Sequence, residues 1–300
     1  MSTNDQDIIQ RFIFDKQPVR GEVIHLQHSF QTIVKQHAYP PAVCKLLGEA
    51  LCIAALLSST LKFEGRLMVQ FRGEGKLKLL LAQCDHQFHI RGLAKWEGDA
   101  SYDDLMRSFT EGILVIMLDT GIHKSRYQGI VNWQGYSLAE SIEGYFKDSE
   151  QLMTKIWLQV NETSAFGLML QAVPPTQQRQ DLETCTVDQS MQALAGMTAK
   201  SRPEAMVDLE IQKLLHTLYP GEDIRIFSPK HVTFHCPCTQ KSSEGAILVL
   251  GQKEAEEELK NHRVIVVTCD FCNKQYTFDA VDIAKLFHHP PVPPSDISLH

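Results

Sequence analysis

The sequence predicts an α+β fold: an N-terminal mixed domain of helices and sheet over residues 1–175, a helical linker over 176–231, a small four-cysteine zinc domain over 232–287 and a disordered tail over 288–300. Three observations predict it. Strand-like runs alternate with two helical stretches as far as Pro174 and Pro175. Amphipathic helical patterns without strands follow, and then two close cysteine pairs appear among short strand-like runs. Length agrees, since 300 residues suggest about two domains at roughly 150 residues each.

In chain order, the first strong element is "PAVCKLLGEALCIAALLSSTLKF", Pro41 to Phe63. It reads as a long helix with Pro41 in its first turn, and its apolar surface is broad enough to be buried on most sides. "RLMVQFRGEGKLKLLLAQC" reads as a β-hairpin turning at Gly73 to Gly75, and "FHIRGLAKW" as a third strand. A lone glycine pair leading into a strand is a hairpin turn rather than a phosphate loop. "GILVIMLD" and "SRYQGIVNW" continue the sheet. The period then becomes helical in "SLAESIEGYFKDSEQL", where Leu138, Ile142, Tyr145 and Phe146 share a face and Ser137 and Glu140 have capping-box spacing. "KIWLQV" and "FGLMLQAV" return to strand before the two prolines, which cannot continue a ladder.

The linker opens with the polar "TQQRQDLETCTVDQ". Its clearest element is "SRPEAMVDLEIQKLLHTLYPGED", read as one helix with Ser201 and Glu204 as a capping pair and Pro203 in the first turn. Met206, Leu209, Leu214, Leu215 and Leu218 form its apolar face, and Pro220-Gly221 stops it. These helices have no sheet of their own, so that face must be buried on another domain or exposed. In the third region "HVTFHC", "HRVIVVTC" and "KQYTF" read as strands, "KEAEEELKN" as an exposed acidic helix and "DAVDIAKLF" as a closing helix. Glu256 to Glu258 are read as a solvated face, and His288, His289 and His300 as tail residues.

Several function classes are disfavoured. The net charge of −7 is a poor match to nucleic acid or an anionic membrane. The N-terminus "MSTNDQDIIQRF" is acidic where a signal peptide would be basic and then apolar, and no apolar run is expected to reach the roughly 18 residues of a membrane span. The expected location is the cytoplasm, where thiols stay reduced and clustered cysteines mean metal or redox chemistry.

Cys236-x-Cys238 and Cys269-x-x-Cys272 are separated by a 30-residue insert. Two close pairs on two turns are how a chain delivers four thiolates to one tetrahedral zinc ion, and sulfur suits that metal. Four thiolates close the coordination shell, which leaves no position for a catalytic water; no catalytic residue is assigned. His235, beside Cys236, is a weaker candidate because the shell is already full. A region of roughly 55 residues is near the limit for an unaided core, and structural zinc contributes an apparent ~10–16 kcal/mol of folding free energy. Zinc–sulfur bonds of ~2.3 Å put sulfurs about 3.8 Å apart, and a disulfide needs about 2.05 Å. Oxidation within each pair would give Cys236–Cys238 and Cys269–Cys272 disulfides and release the metal. The spacing alone leaves both this redox switch and an inert zinc ribbon open.

Rival chemistries fit less well. A thioredoxin-like CxxC opens a helix, whereas Cys272 is followed by "NKQYTF". A zinc deaminase needs a His-x-Glu triplet, and the chain has none. A nucleic-acid ribbon should be basic, yet residues 232–287 hold six Lys/Arg against eight Asp/Glu. A thiol oxidoreductase using Cys269 and Cys272 and a passive zinc-ribbon interaction module remain the alternatives.

The chain resembles the redox-regulated 33 kDa heat-shock chaperone family over nearly its full length. "HCPC" to "TCDFCNKQYTFDAVDIAKL" is similar to that family's zinc module, and "LLGEAL" with "SSTLKFEG", "RYQGIV" and "GYFKDSEQ" to its N-terminal domain. The resemblance implies zinc on Cys236, Cys238, Cys269 and Cys272 in an inactive reduced state. It also implies that oxidants, together with mild unfolding conditions, release the zinc, melt a metastable linker and expose a surface for unfolded client proteins. The active form would be a dimer that holds clients without ATP. Cys44, Cys52, Cys84 and Cys185 lie outside the motif. Cys44 and Cys52 are about 12 Å apart along one predicted helix, too far to bridge. With Cys84 they read as small buried hydrophobes, and Cys185 as a linker thiol that melting could expose.

Overall fold

The structure is a computed structural model that describes residues 7–61, 64–120, 127–134, 137–173, 187–201 and 210–288. The described residues through Phe234 form one unit, and those from His235 form a second.

The first unit has two six-stranded sheets. One is built from β1 (Ile8–Phe14), β2 (Val19–Leu26), β8 (Thr154–Val160), β9 (Ala165–Ala172), β10 (Ile224–Ile226) and β11 (Lys230–His231). Its order is β10-β1-β2-β9-β8, with β11 also on β1. The other is ordered β12-β5-β4-β3-β6-β7. Its strands are β3 (Arg66–Gly73), β4 (Leu77–Asp85), β5 (His89–Trp96), β6 (Gly112–Asp119), β7 (Tyr127–Val131) and β12 (Thr233–Phe234). The helices are α1 (His28–Val34), α2 (Pro41–Thr60), α3 (Tyr102–Ser108), α4 (Leu138–Ser149), α5 (Val187–Lys200) and α6 (Ile211–Leu218).

Helix α2 is the centre of the larger core and touches β2, β8 and β9 of one sheet and β3, β4 and β5 of the other. Both sheets meet it with a glycine. A Cβ on Gly167 would lie 3.0 Å from Leu56, and one on Gly92 would lie 3.0 Å from both Leu47 and Leu51. Missing side chains at those two positions let backbone and helix approach closely. By length and composition α2 does qualify as a membrane span, contrary to the expectation from the apolar runs. However, 78% of that stretch is buried inside the fold, so its apolarity serves the core. Arg11 fixes its C-terminal end, donating to the Ser59 carbonyl (2.6 Å) while paired with the buried Glu22 (2.7 Å) on the neighbouring strand. At α4, Ser137 caps as expected, accepting from the Glu140 N–H.

The amphipathic helices find their partner on the second face of the first sheet. Met191 and Leu194 of α5, with Ile211, Leu214, Leu215 and Leu218 of α6, pack on Phe12, Phe14, Val19, Val23, Phe166, Leu168 and Leu170. Tyr219 locks the layer: its ring meets Phe14 edge-on at 5.1 Å, and its hydroxyl lies 2.8 Å from Thr198 Oγ1 on α5. The sequence predicts one helix from Ser201 to Leu218, but α6 begins at Ile211. Glu210 has φ −57° and ψ 137°, which breaks the helical path there. Glu204, Pro203, Met206 and Leu209 lie outside the described residues, as do Pro174, Pro175, Cys185, His289 and His300.

Residues 224–231 carry two strands where helical linker is expected. Strands β10 and β11 complete the edge of the first sheet. The strand expected in "HVTFHC" is present but short: β12 covers two residues and runs parallel to β5 in the second sheet. Gln10 Nε2 donates to the Phe227 carbonyl (2.8 Å), Arg225 pairs with Asp15 (2.8 Å), and the Val232 N–H donates to the Asp7 carbonyl (2.9 Å).

The second unit contains α7 (Gln240–Leu250), α8 (Gln252–His262), the hairpin β13 (Ile265–Thr268) and β14 (Gln275–Phe278), and α9 (Ala280–His288). Its buried core among the described residues is seven side chains: Ile247, Ala255, Ile265, Tyr276, Phe278, Ile283 and Leu286. Glu256 to Glu258 are exposed on α8.

Candidate metal centre

Two local structures deliver the four cysteines. Cys236 and Cys238 lie in the segment that enters α7, and their path is fixed by a capping box. The Ser242 N–H donates to Thr239 Oγ1 (3.1 Å), and the Thr239 N–H donates to Ser242 Oγ (2.8 Å). Cys269 and Cys272 lie in the turn between β13 and β14. There the Cys269 N–H donates to the Lys274 carbonyl (3.0 Å) and the Asn273 N–H to the Cys269 carbonyl (2.9 Å). Asn273 adopts φ +54°, a left-handed conformation that asparagine tolerates better than most residues.

All four sulfurs lie within 4.8 Å of one another. The Cys238 and Cys272 sulfurs are 3.4 Å apart, and those of Cys236 and Cys269 are 3.7 Å apart. Each residue is half-buried and unbridged. These spacings match the separation of about 3.8 Å for four sulfurs around one tetrahedral zinc ion. A donor set of sulfur alone suits a soft or borderline metal and argues against calcium or magnesium, which take oxygen. The residues therefore fit the zinc ion expected from spacing. His235 is exposed and outside the cluster.

The thiols are electrostatically linked. Burial pushes Cys238 up, but hydrogen bonds from Tyr276 and the neighbouring thiols outweigh it and bring the group to about 7. Burial raises Cys272 to about 12, and donation to its neighbours adds to the shift; burial raises Cys236 too. One thiolate in such a cluster is stabilised at the expense of the next. A bound dication removes that conflict, because it favours ionisation of all four sulfurs.

Tyr276 is the site residue that spacing arguments miss. Its hydroxyl donates to the Cys238 carbonyl oxygen (2.8 Å) and to Cys238 Sγ (3.2 Å). Its available signal is its place in "NKQYTF", on the same side of a short strand as Phe278, where both are buried. The cysteines outside the motif are separate from the cluster. Cys52 and Cys84 are fully buried, and burial raises Cys84 to about 12 and Cys52 further still. Cys44 is half-buried, 3.6 Å from the Tyr39 carbonyl oxygen, and burial raises it as well.

The family model described as Hsp33 protein matches residues 7–279. A 33 kDa chaperonin of Pseudomonas aeruginosa is 40% identical over 293 residues, covering 96% of each chain. One from Nitrosococcus oceani is 38% identical over 284 residues, covering 95% of each. The crystal structure of a 33 kDa chaperonin from Thermotoga maritima superposes with a TM-score of 0.75 at 20% identity, covering 95% of this chain and 98% of that one, and so shares its fold.

Proposed function

The chain belongs to the Hsp33 family, and from that premise we propose that it is a redox-regulated, ATP-independent chaperone, a holdase that binds unfolding proteins under oxidative stress. It is inactive when reduced and zinc-bound, and disulfide formation with zinc release activates it. The observation that carries this reading is the four-sulfur cluster in a unit whose buried core, among the described residues, is seven side chains.

Cys236, Cys238, Cys269 and Cys272 are the proposed ligands. Zinc, when bound, supplies a dication that keeps the four sulfurs ionised and holds the two cysteine segments together. Thiolates are also the forms that oxidants attack. Each pair gives up two electrons as its S–S bond forms. Those electrons, with two protons from the thiols or from solvent, reduce one hydrogen peroxide to two waters. The proposed bridges are Cys236–Cys238 and Cys269–Cys272. Each removes two sulfurs from the ligand set, and the small core cannot hold the unit alone.

Residues 176–231 act as a metastable linker in this reading, between a 1–175 domain and the 232–287 switch. The chain runs from Cys236 through β12, β11 and β10 back to α6, and those strands pair with β5 and β1 of the first unit, so opening of the linker in this reading includes release of that sheet edge. Helix α6 is eight residues long, and isolated helices below roughly 12–15 residues are marginal in water. Departure of the α5–α6 layer would uncover Phe12, Phe14, Val23, Phe166 and Leu168 on a sheet face, a patch suited to unfolded chains. The active form is a dimer working in the cytoplasm, without nucleic-acid or membrane partners and without enzymatic turnover. The test is suppression of client aggregation by reduced and by peroxide-treated protein. Strong suppression only after peroxide supports the switch, and equal suppression in both states sinks it.

A further inference from the structure

Strand β14 alternates so that Tyr276 and Phe278 face the core of the second unit while Gln275 and Thr277 face out. The Tyr276 ring is thereby fixed among apolar side chains, and its hydroxyl emerges at Cys238. We infer that Tyr276 is a positioning residue of the metal centre, whose hydroxyl holds Cys238 in ligating geometry through both its carbonyl oxygen and its sulfur. This rests on reading the cluster as a zinc site.

The distances support a shared donor. The hydroxyl lies 2.8 Å from the Cys238 oxygen and 3.2 Å from its sulfur, and it has one hydrogen to give. A thiolate accepts more strongly than a thiol, so the hydrogen bond moves toward sulfur when Cys238 becomes a ligand. Lys274 Nζ sits 5.2 Å from the Tyr276 ring centroid, and a cation on that face makes the phenol a better donor. Cys238 itself packs against the core that holds the ring. One side chain thus connects a ligand to the interior of the unit, which ties metal retention to the packing of β14. Groups in this outer position commonly change metal affinity by about 10–100-fold.

The test is Tyr276→Phe in the full-length reduced chain. Phenylalanine keeps the ring and its packing and removes only the hydroxyl. Competition with a chromogenic zinc chelator should show zinc held about 10–100-fold more weakly. Cobalt(II) should give a sulfur-to-metal charge-transfer band displaced to longer wavelength, because a sulfur relieved of a hydrogen bond gives up its electrons more easily. That band comes from occupied sites alone, so it reports the hydrogen bond even if part of the variant population is unfolded. Affinity within about twofold of the parent and an unmoved band would overturn the inference and leave the metal site standing. Failure of the parent chain itself to bind cobalt through four thiolates would overturn the metal reading, and this inference with it.

Discussion

Leu214→Ala tests whether the α6 layer is the part that opens. Leu214 is 1% exposed and packs in the cluster with Phe12, Phe14 and Tyr219. Helix α6 buries four large apolar side chains, Ile211, Leu214, Leu215 and Leu218, each worth ~1.5–3 kcal/mol. Truncating a buried leucine costs about 2–5 kcal/mol once the cavity is included. Nothing else about so short a helix compensates, so most of that cost should fall on local opening. At a factor of ten per ~1.4 kcal/mol, the opening equilibrium rises by roughly 30-fold to several thousandfold. Amide hydrogen exchange on the reduced, zinc-loaded protein reads this directly. Exchange in α6 should accelerate by that factor while α2 stays protected, dye binding to apolar surface should rise, and aggregation of a client should be partly suppressed without oxidant. Joint acceleration of α2 and α6, or opening of α6 without increased client binding, would show that the α6 layer is not the part that opens to bind clients.

Three further outcomes are expected. Cys272→Ser should abolish tight zinc binding and loosen the second unit, seen as lost helical signal and faster proteolysis after His235; a variant that still holds one zinc tightly would show that the ligand set is wrong. Glu49 is buried on α2, accepts from the Tyr102 hydroxyl at 2.7 and 2.9 Å, and is pushed up to about 7 by burial. An acid raised on folding binds more protons folded than unfolded, so its contribution to stability falls as pH rises from the ordinary carboxylate range to about 7. Glu49→Gln should therefore stabilise the first unit at about pH 8 by up to about 3 kcal/mol and change little at about pH 5, and equal effects in thermal melts at the two pH values would contradict this. In the zinc-stripped protein, an alkylating agent followed by mass spectrometry should label Cys236, Cys238, Cys269 and Cys272 well before Cys52 and Cys84, which are fully buried in the first unit. Early labelling of Cys84 would show that the first unit opens more easily than its packing implies.

The parts legible in the sequence are those whose signal is local. Helix α2 announces itself by 20 residues of near-continuous apolarity, and β3 to β5 by alternation across a glycine turn. The metal cluster is legible because CxC and CxxC are short spacings that keep the two thiols of each pair close together. Strands β10 and β11 are not legible, since they are two or three residues long and exist through pairing with β1 far away in the chain. For β12 the strand itself is legible in "HVTFHC", but its partner β5 is not. The β1–β2 hairpin escapes because the charged Arg11 and Glu22 interrupt its apolar pattern, and only their pairing across the strands explains them. Helix α7 escapes because its first turn is polar; its signal is the Thr239–Ser242 capping box. Tyr276 carries a site role that depends on which way a strand faces once it pairs with β13, and no spacing rule reports that.

The most direct test of the account follows zinc content and aggregation suppression together in one protein sample through a peroxide titration, with thiols counted at each point. One zinc per reduced chain and no suppression are expected at the start. Loss of the zinc and gain of suppression should then proceed in step, as the Cys236–Cys238 and Cys269–Cys272 bridges form. Zinc that stays bound while suppression appears, or zinc that leaves while suppression does not, would contradict the claim that the metal site is the switch.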